Sequence, residues 1–554
     1  MLSRSVPVLA SVILCLGASL WVGACSSEEE EQPTTSSTSG TGGGGGGGGM
    51  AGMGGAGGAT PDACGELGLP VRAFVDEGGG TTYGDLATDF TVQTLDGPWS
   101  FSEGWSGCET YVFLNHFDST TGNSLWGSDA AELLSASARN VHYFFGAYAE
   151  PGMRDPMLQQ MRGKVDTALA AMAPEDATWW ASRVHYVTDD PAAIVGSLGG
   201  LYQEYYPSVL FGVAIDRYQR FDAAGSLQAF IGSGFSGRLR TAGYLGRHYN
   251  FVYERNEAVA AETDVTVVPM LTDQLVTENN QLYPVPFPDA ATMAAFDHMV
   301  IDVELSCGPG PTDCGEWDYE AFLELCDDQA CTGRDQIGLW ITPYSRPGTR
   351  RWLIEATPFL SMLQDGGERF VRFGMLWNMN PNTMNVSFRL RTTGAAAAPR
   401  DFVPLFTGGT FDATYNDNYQ PISFTPPSAT TKVELVAILT GHGQEASNCA
   451  EWCNHEHEFT VNGTAVHTKS HPEAGTGWGC AEMVDEGVIP GQYGNWAPGR
   501  AAWCPGLAVQ PWIVDITDDV TIGAENQITY QGLYNGGTPV GGRIRLSSYL
   551  VYSE

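Results

Sequence analysis

Three short segments of this chain set acidic, aromatic and basic side chains beside cysteines. The first runs Cys307-Gly308-Pro309-Gly310-Pro311-Thr312-Asp313-Cys314-Gly315-Glu316-Trp317-Asp318. The second is Gly441-His442-Gly443 followed by Cys449-Ala450-Glu451-Trp452-Cys453. The third is Gly494-Asn495-Trp496-Ala497-Pro498-Gly499-Arg500-Ala501-Ala502-Trp503-Cys504-Pro505-Gly506. Asp318 and Glu451 are the candidate reacting groups. Two carboxyls sharing one cleft push their pKa values apart, so one is ionised while the other holds a proton. Such a pair suits hydrolysis, in which one group activates water or attacks and another protonates the leaving group. Arg500 offers charge and donors to a developing oxyanion. A Cys307–Cys314 and a Cys449–Cys453 bridge would each close a tight loop, whose main value is the rigidity that a preformed site needs.

A metal reading competes at His455-Glu456-His457. Histidines two apart on a strand face the same way and suit copper or zinc. Jelly-roll copper monooxygenases use a His-x-His pair, but they also need a methionine on a neighbouring strand and a three-histidine site in the other domain. The stretch from 264 to 396 contains only His298. Cys449-x3-Cys453 as half a zinc site is disfavoured in an oxidising compartment. A copper oxygenase is therefore the least of the readings, and the predicted site holds no metal or cofactor. His116 is read as a loop histidine.

The compartment follows from the N-terminus. Arg4 precedes an apolar run from Val8 to Val22, too short to span a membrane, that ends in Val22-Gly23-Ala24-Cys25. Small residues before a cysteine resemble the lipobox of bacterial lipoproteins, the alternative being an ordinary secretory signal. The lipobox implies cleavage after residue 24 and lipidation of Cys25. Ser26 in place of aspartate favours the outer membrane or cell surface, the anchor itself being the membrane contact. Of twelve cysteines, ten remain after Cys15 and Cys25 are set aside, an even number where disulfides are allowed. The charge is lopsided, with 64 acidic against 27 basic residues and a net −37. So acidic a surface repels phosphate backbones and excludes nucleic acid as a partner.

Several elements must position these residues. Residues 25–63 are rich in Glu, Ser, Thr and Gly, including eight glycines from Gly42 to Gly49, and form a tether that buries too little to fold. From 64 to 263 the pattern is α/β. Tyr111-Val112-Phe113-Leu114 and Val141 to Phe145 read as buried strands, and Ala130 to Ala138 and Arg154 to Met172 as helices. Asp89 to Gly97 resembles the opening strand of a thioredoxin-like fold, and Val213 to Phe221 its late hairpin. Asn115-His116-Phe117-Asp118-Ser119-Thr120 stands where the reactive cysteines would be, so no thiol redox chemistry is expected. Cys64 and Cys108 remain to pair as a staple. Beyond 264, short β-rich runs alternate with Gly, Pro, Asn and Asp turns, as at Met299–Leu305, Lys432–Leu439 and Arg543–Tyr552. About 290 residues of such pattern suit two sandwiches or jelly rolls, drawn here as 264–396 and 397–554.

The three segments together resemble peptide-N-glycosidase F, a two-jelly-roll amidase family, over about residues 264 to 554. Cys-x6-Cys-x-Glu-Trp-Asp, Cys-Ala-Glu-Trp-Cys and Trp-Ala-Pro-x-Arg-Ala-x-Trp-Cys-Pro-Gly occur in the family's order. The resemblance implies hydrolysis of the amide joining asparagine to the first N-acetylglucosamine of an N-glycan. The expected substrate is an N-glycosylated protein or glycopeptide, acted on by a monomer without metal. By position, Asp318 matches the principal catalytic aspartate and Glu451 the second essential carboxylate. Trp377, Trp452 and Arg500 match substrate contacts, with indole faces for the sugar, and His442 matches a nearby histidine. The family's disulfides correspond to Cys307–Cys314, Cys449–Cys453 and Cys480–Cys504, leaving Cys326–Cys331 to clip a hairpin. Three positions depart from the family. Tyr319 replaces an arginine, Met375 a third carboxylate and Thr440 a tryptophan. These departures keep open a second reading, a noncatalytic glycan- or peptide-binding lipoprotein on the same scaffold.

Overall fold

A computed structural model describes residues 63–205, 211–231, 234–308, 313–346, 348–376, 380–443 and 449–554. The leader, Cys25, the tether to residue 62 and Trp377 lie outside the described residues.

The first part of the chain is α/β. A hairpin of β1 (Thr91–Thr94) and β2 (Gly97–Ser100) precedes a sheet of β3 (Thr110–His116), β4 (Val141–Ala147), β5 (Val184–Tyr186), β6 (Gly212–Ile215) and β7 (Phe221–Ala223). The sheet order is β5-β4-β3-β6-β7. β3, β4 and β5 are parallel, whereas β6 and β7 run antiparallel. All seven residues of β3 and of β4 are buried. Val112, Leu114, Tyr143 and Phe145 enter one core, and Tyr111, Phe113 and Phe144 enter another on the opposite face. Burial on both faces explains why these strands read as continuous apolar runs. A small hairpin, β8 (Gln228–Ile231) and β9 (Gly234–Gly237), leads into a helix from Leu239 to Ala260.

The rest is two sandwiches. The first contains β10 (Val265–Val276), β11 (Gln281–Asp289), β12 (His298–Cys307), β13 (Glu320–Cys326), β14 (Arg334–Ile341), β15 (Gly348–Glu355), β16 (Gly366–Met375) and β17 (Asn382–Arg391). Its sheets are ordered β10-β17-β12-β15 and β11-β16-β13-β14. The second contains β18 (Pro399–Thr407), β19 (Ile422–Phe424), β20 (Lys432–His442), β21 (His455–Val461), β22 (Ala465–Ser470), β23 (Trp512–Asp515), β24 (Asn526–Tyr534) and β25 (Arg543–Ser553). Its sheets, β18-β25-β20-β23 and β19-β24-β21-β22, repeat the first order strand for strand. Eight antiparallel strands in this order make a jelly roll. Strict alternation of burial along β17 and β21 shows the period-2 patterning of half-buried strands.

The two jelly rolls share a core. Val436, Ile438, Tyr549 and Val551 of the second pack with Ile301, Leu339 and Trp340 of the first. Trp503, Ala508 and Val509, from the long connection between β22 and β23, join the same cluster. That connection is also tied to the α/β part. Ser226 donates its amide to Gly491 O (2.8 Å) and its hydroxyl to Gln492 O (2.6 Å). Tyr244 and Arg247 of the Leu239–Ala260 helix bind Glu482 at 2.6 and 2.9 Å. Five disulfides close Cys64–Cys108, Cys307–Cys314, Cys326–Cys331, Cys449–Cys453 and Cys480–Cys504.

Candidate functional site

Asp318 ends the β12–β13 connection, which the Cys307–Cys314 disulfide closes. The loop is laced to the turn after β14. Tyr319 donates its amide to Thr342 Oγ1 (2.8 Å), Thr342 returns one to Tyr319 O (2.9 Å), and Ser345 donates to Gly315 O (3.0 Å). Glu451 sits on a one-turn helix, Cys449–Trp452, between β20 and β21. That turn lies directly on β20, because a Cβ at Gly441 would stand 1.6 Å from Ala450 O. Only glycine admits this approach. Arg500 comes from the β22–β23 connection. Ala501 seats it by donating to Glu451 O (2.9 Å) and accepting from Gly441 N (3.0 Å).

The three segments converge on one guanidinium. Arg500 Nη1 pairs with Asp318 Oδ2 and lies 3.0 Å from Glu451 Oε1. Arg500 Nη2 donates to the Tyr344 hydroxyl (3.0 Å) and to Asn495 O. The Trp503 indole N–H donates to Asp318 Oδ2 (3.0 Å). His442 Nδ1 stands 2.8 Å from Glu451 Oε2, and its ring stacks on Trp503 at 4.0 Å between centroids. The Trp452 ring faces the guanidinium at 4.4 Å. Side-chain exposure is 8% for Asp318, 4% for Glu451 and 0% for Arg500. Trp317, next to Asp318, is 58% exposed and marks the solvent side.

Burial raises Asp318 above its ordinary value, although Arg500 pulls the other way and Glu451 adds to the rise. For Arg500, burial opposes the charge, but Asp318, Tyr344 and Glu451 outweigh it and drive the pKa up. The guanidinium is therefore a permanent cation binding two carboxyls in a nearly dry setting. Asp318, with its basicity increased, is the better suited to accept a proton.

Of the sequence-predicted residues, Asp318, Glu451, His442, Arg500 and Trp452 come together. The resemblance set Arg500 against the substrate. The structure instead buries it behind the two carboxyls, with both Nη atoms engaged, so its charge reaches the cleft through Asp318 and Glu451. Two participants were missed. Trp503 stood in the third segment without an assigned role. Tyr344 had no motif around it and is brought in by Gly494, where a Cβ would meet its ring at 2.1 Å. The three positions that depart from the family are buried. Thr440 is fully buried and donates to Ala501 O (2.9 Å), Met375 is buried, and Tyr319 is 9% exposed.

His455 and His457 point inward in a directed chain. His455 Nε2 must donate to Ala450 O (2.8 Å), so its Nδ1 accepts from His457 Nε2 (2.7 Å). His457 Nδ1 then accepts from the Tyr530 hydroxyl (2.7 Å), which accepts from Tyr415 (2.7 Å). All four ring nitrogens are occupied, leaving no lone pair for the copper of the monooxygenase reading. The chain ends on the peptide carbonyl next to Glu451. His116 is likewise engaged, with Asn123 Oδ1 at 2.9 Å.

Residues 410–551 match the family described as Peptide-N-glycosidase F, C terminal. Over 256 residues the chain is 26% identical to the peptide-N(4)-(N-acetyl-beta-D-glucosaminyl)asparagine amidase F of Elizabethkingia miricola, covering 43% of this chain and 69% of that protein. Over its C-terminal jelly roll the chain is similar to the peptide-N-glycosidase F family. Among solved structures, PNGase F, a glycosylasparaginase from Flavobacterium meningosepticum, aligns over 53% of this chain and 96% of its own at 19% identity and TM-score 0.41. PNGF-II aligns over 54% and 67% at 10% identity and the same TM-score.

Proposed function

We propose that this protein is a peptide-N4-(N-acetyl-beta-glucosaminyl)asparagine amidase that releases N-glycans from glycoproteins or glycopeptides. The observation that carries the reading is the pair of carboxyls, one from each jelly roll, held on the single guanidinium of Arg500. In this reading Asp318 takes a proton from water as the water attacks the side-chain amide carbon. The carbon–nitrogen bond then breaks, and the proton passes to the departing glycosylamine. Glu451, with His442 beside it at 2.8 Å, completes the ion-pair network that holds Arg500 and Asp318 in place. Arg500 is a positioning residue, since it is fully buried, its Nη1 holds both acids and its Nη2 is taken by the Tyr344 hydroxyl and Asn495 O. Trp317 and Trp452 give indole surface near the cleft for the first sugar ring.

The test incubates the mature full-length chain with a denatured N-glycosylated protein and assays free glycan by mass spectrometry. Release that disappears in Asp318→Asn supports the amidase. Absence of release from every N-glycan class tested would sink it. The noncatalytic binding reading draws on Tyr319, Met375 and Thr440 in place of the family's arginine, carboxylate and tryptophan, and on the slight exposure of both carboxyls. Glycan-array binding retained by Asp318→Asn, with no turnover by the parent protein, is the result that would favour it.

We further propose that Cys25 carries the lipid anchor of an envelope protein. A Cys25→Ser variant recovered wholly in the soluble fraction is the expected result. The α/β part is proposed as a thioredoxin-like scaffold without thiol chemistry, consistent with its sheet order and with Cys64 and Cys108 paired to each other.

A further inference from the structure

Tyr344 enters the carboxyl site without a motif around it, and it is held by its backbone as well as by its ring. Its amide donates to Gln492 Oε1 at 2.7 Å. Gln492 lies in the connection between β22 and β23 and is 1% exposed. Its side-chain amide donates to Ile489 O (2.6 Å) and Pro505 O (2.9 Å). The side chain thus makes three hydrogen bonds, all to backbone groups, and ties three stretches of chain at one point. A buried amide paired in this way is costly to replace, because each lost bond strands a buried peptide group.

The seat of Gln492 comes from the α/β part. Buried Ser226 donates its hydroxyl to Gln492 O (2.6 Å) and its amide to Gly491 O (2.8 Å). The two backbones touch here. A Cβ at Gly225 would stand 1.9 Å from Gly491 O, and one at Gly491 2.2 Å from Ala224 O, so the main chain itself sets the contact. The same stretch reaches the other side of Tyr344. Arg346, two residues on, is buried, and its Nη2 donates to Ala223 O (2.5 Å) and lies 3.6 Å from Asp222 Oδ2. Residues 222–226 therefore hold the Tyr344 turn twice, directly at Arg346 and through Gln492 at the Tyr344 amide.

At the far end of the ring, the Tyr344 hydroxyl accepts from Arg500 Nη2 (3.0 Å). Its own proton is left for an acceptor, and Asp318 takes it. Burial raises Asp318, Arg500 opposes the rise, Glu451 adds to it, and the Tyr344 hydroxyl and His442 oppose it. The ring is rigid, so a displaced Tyr344 backbone carries the hydroxyl with it. Hydrogen bonds weaken steeply once they are lengthened or misaligned.

We propose that Gln492 is a positioning residue for the carboxyl pair: seated by Ser226 of the α/β part, it fixes the backbone of Tyr344 and thereby the hydroxyl that joins Arg500 to Asp318. The proposal rests on the amidase reading only in its kinetic consequence. Its consequence for Asp318 is read without turnover.

The experiment labels the aspartate carboxyls of the mature full-length chain with carbon-13 and follows Asp318, identified by the signal lost in Asp318→Asn, through a pH titration. Loss of a donor to a carboxylate favours its protonated form. Gln492→Leu, similar in size but without the three hydrogen bonds, is therefore expected to titrate Asp318 about one pH unit above the parent, as is Tyr344→Phe. The double variant should add little to either, because both changes act on the same hydroxyl. Ser226→Ala, which leaves every residue of the site in place, should move Asp318 the same way by less, and it decides the matter if Gln492→Leu folds poorly. An Asp318 titration unchanged in Gln492→Leu, or shifts that simply add in the double variant, would overturn the positioning role. No shift in Ser226→Ala would overturn the part given to the α/β domain. In a parent that releases glycan, Gln492→Leu is expected to lower kcat about tenfold with KM within about twofold, and to move the acid limb of the rate profile to higher pH. A parent without release counts against the amidase reading alone, and an active parent whose kcat and acid limb survive Gln492→Leu counts against the positioning role alone.

Discussion

Replacing Arg500 by methionine removes the one cation that Asp318 and Glu451 share. At about 3 Å and an effective dielectric of about 20, each pair is worth about 5 kcal/mol of Coulomb attraction. Desolvation of the buried guanidinium offsets much of this, and breaking a buried pair from one side typically costs about 3–5 kcal/mol net. The cost must depend on pH. Without Arg500, the folded pKa of Asp318 rises further above its unfolded value of about 4. Stability lost in this way is absent below the unfolded value and grows as pH rises, by about 1.4 kcal/mol per unit, until the raised pKa is passed. For a domain of ~150–250 residues each kcal/mol moves the midpoint by about 2–4 °C. Arg500→Met should therefore melt about 10 °C below the parent near pH 8, and only a few degrees below it near pH 5. The assay is thermal unfolding followed by tryptophan fluorescence at both pH values. An equal deficit at the two would refute the shared-cation account, because titration of the stranded Asp318 makes the difference.

Tyr344→Phe removes one hydroxyl from Arg500 and should cost about 1 kcal/mol of stability. If glycan release is observed, it should slow more than KM changes, measured by steady-state kinetics. Gly441→Ala would drive a methyl into Ala450 O and displace the Glu451 turn. A loss of about 1–3 kcal/mol in chemical denaturation is expected. His455 is held neutral by burial, its pKa brought down to about 3. Its contribution is complete above the unfolded value of about 6.5 and is lost as pH falls from there towards about 3. Melting points should therefore drop through that window, and Tyr530→Phe, which removes the donor to His457, should lower them further. A flat profile from about pH 7 to about pH 4 would show the relay to be unimportant.

Much of the architecture was legible in side-chain pattern. The buried strands β3 and β4 announced themselves as apolar runs, and β12, β20 and β25 as β-branched stretches between turns. Their sheet order was not legible, because it rests on contacts between residues far apart in the chain. The helix from Leu239 to Ala260 was hidden by Gly243 and Gly246. Both lower helix propensity, yet they are required there, since a Cβ at Gly243 would stand 2.7 Å from Leu133 O and one at Gly246 2.1 Å from a Val141 methyl. In the site, Asp318, Glu451 and Arg500 were readable because each lies beside a loop-closing cysteine. Tyr344 was not, for it reaches Arg500 only through its packing on Gly494. The inward chain of His455 and His457 imitated a metal motif because alternation along a strand does not say whether its shared face is wet or dry.

The attachment of residues 479–507 to the α/β part has a practical consequence. The stretch carrying Arg500 and Trp503 is backed on one side by Tyr244, Arg247 and Ser226 and on the other by the jelly rolls. Family resemblance alone would invite an expression boundary near residue 264. A fragment cut there would expose Trp496, whose indole donates to Gln228 O at 3.2 Å, and leave Glu482 and Asp485 without their arginines. The shortest piece able to keep its acids aligned begins near Cys64, and the leading domain is in effect an external brace for a loop that the sandwiches alone support on one flank.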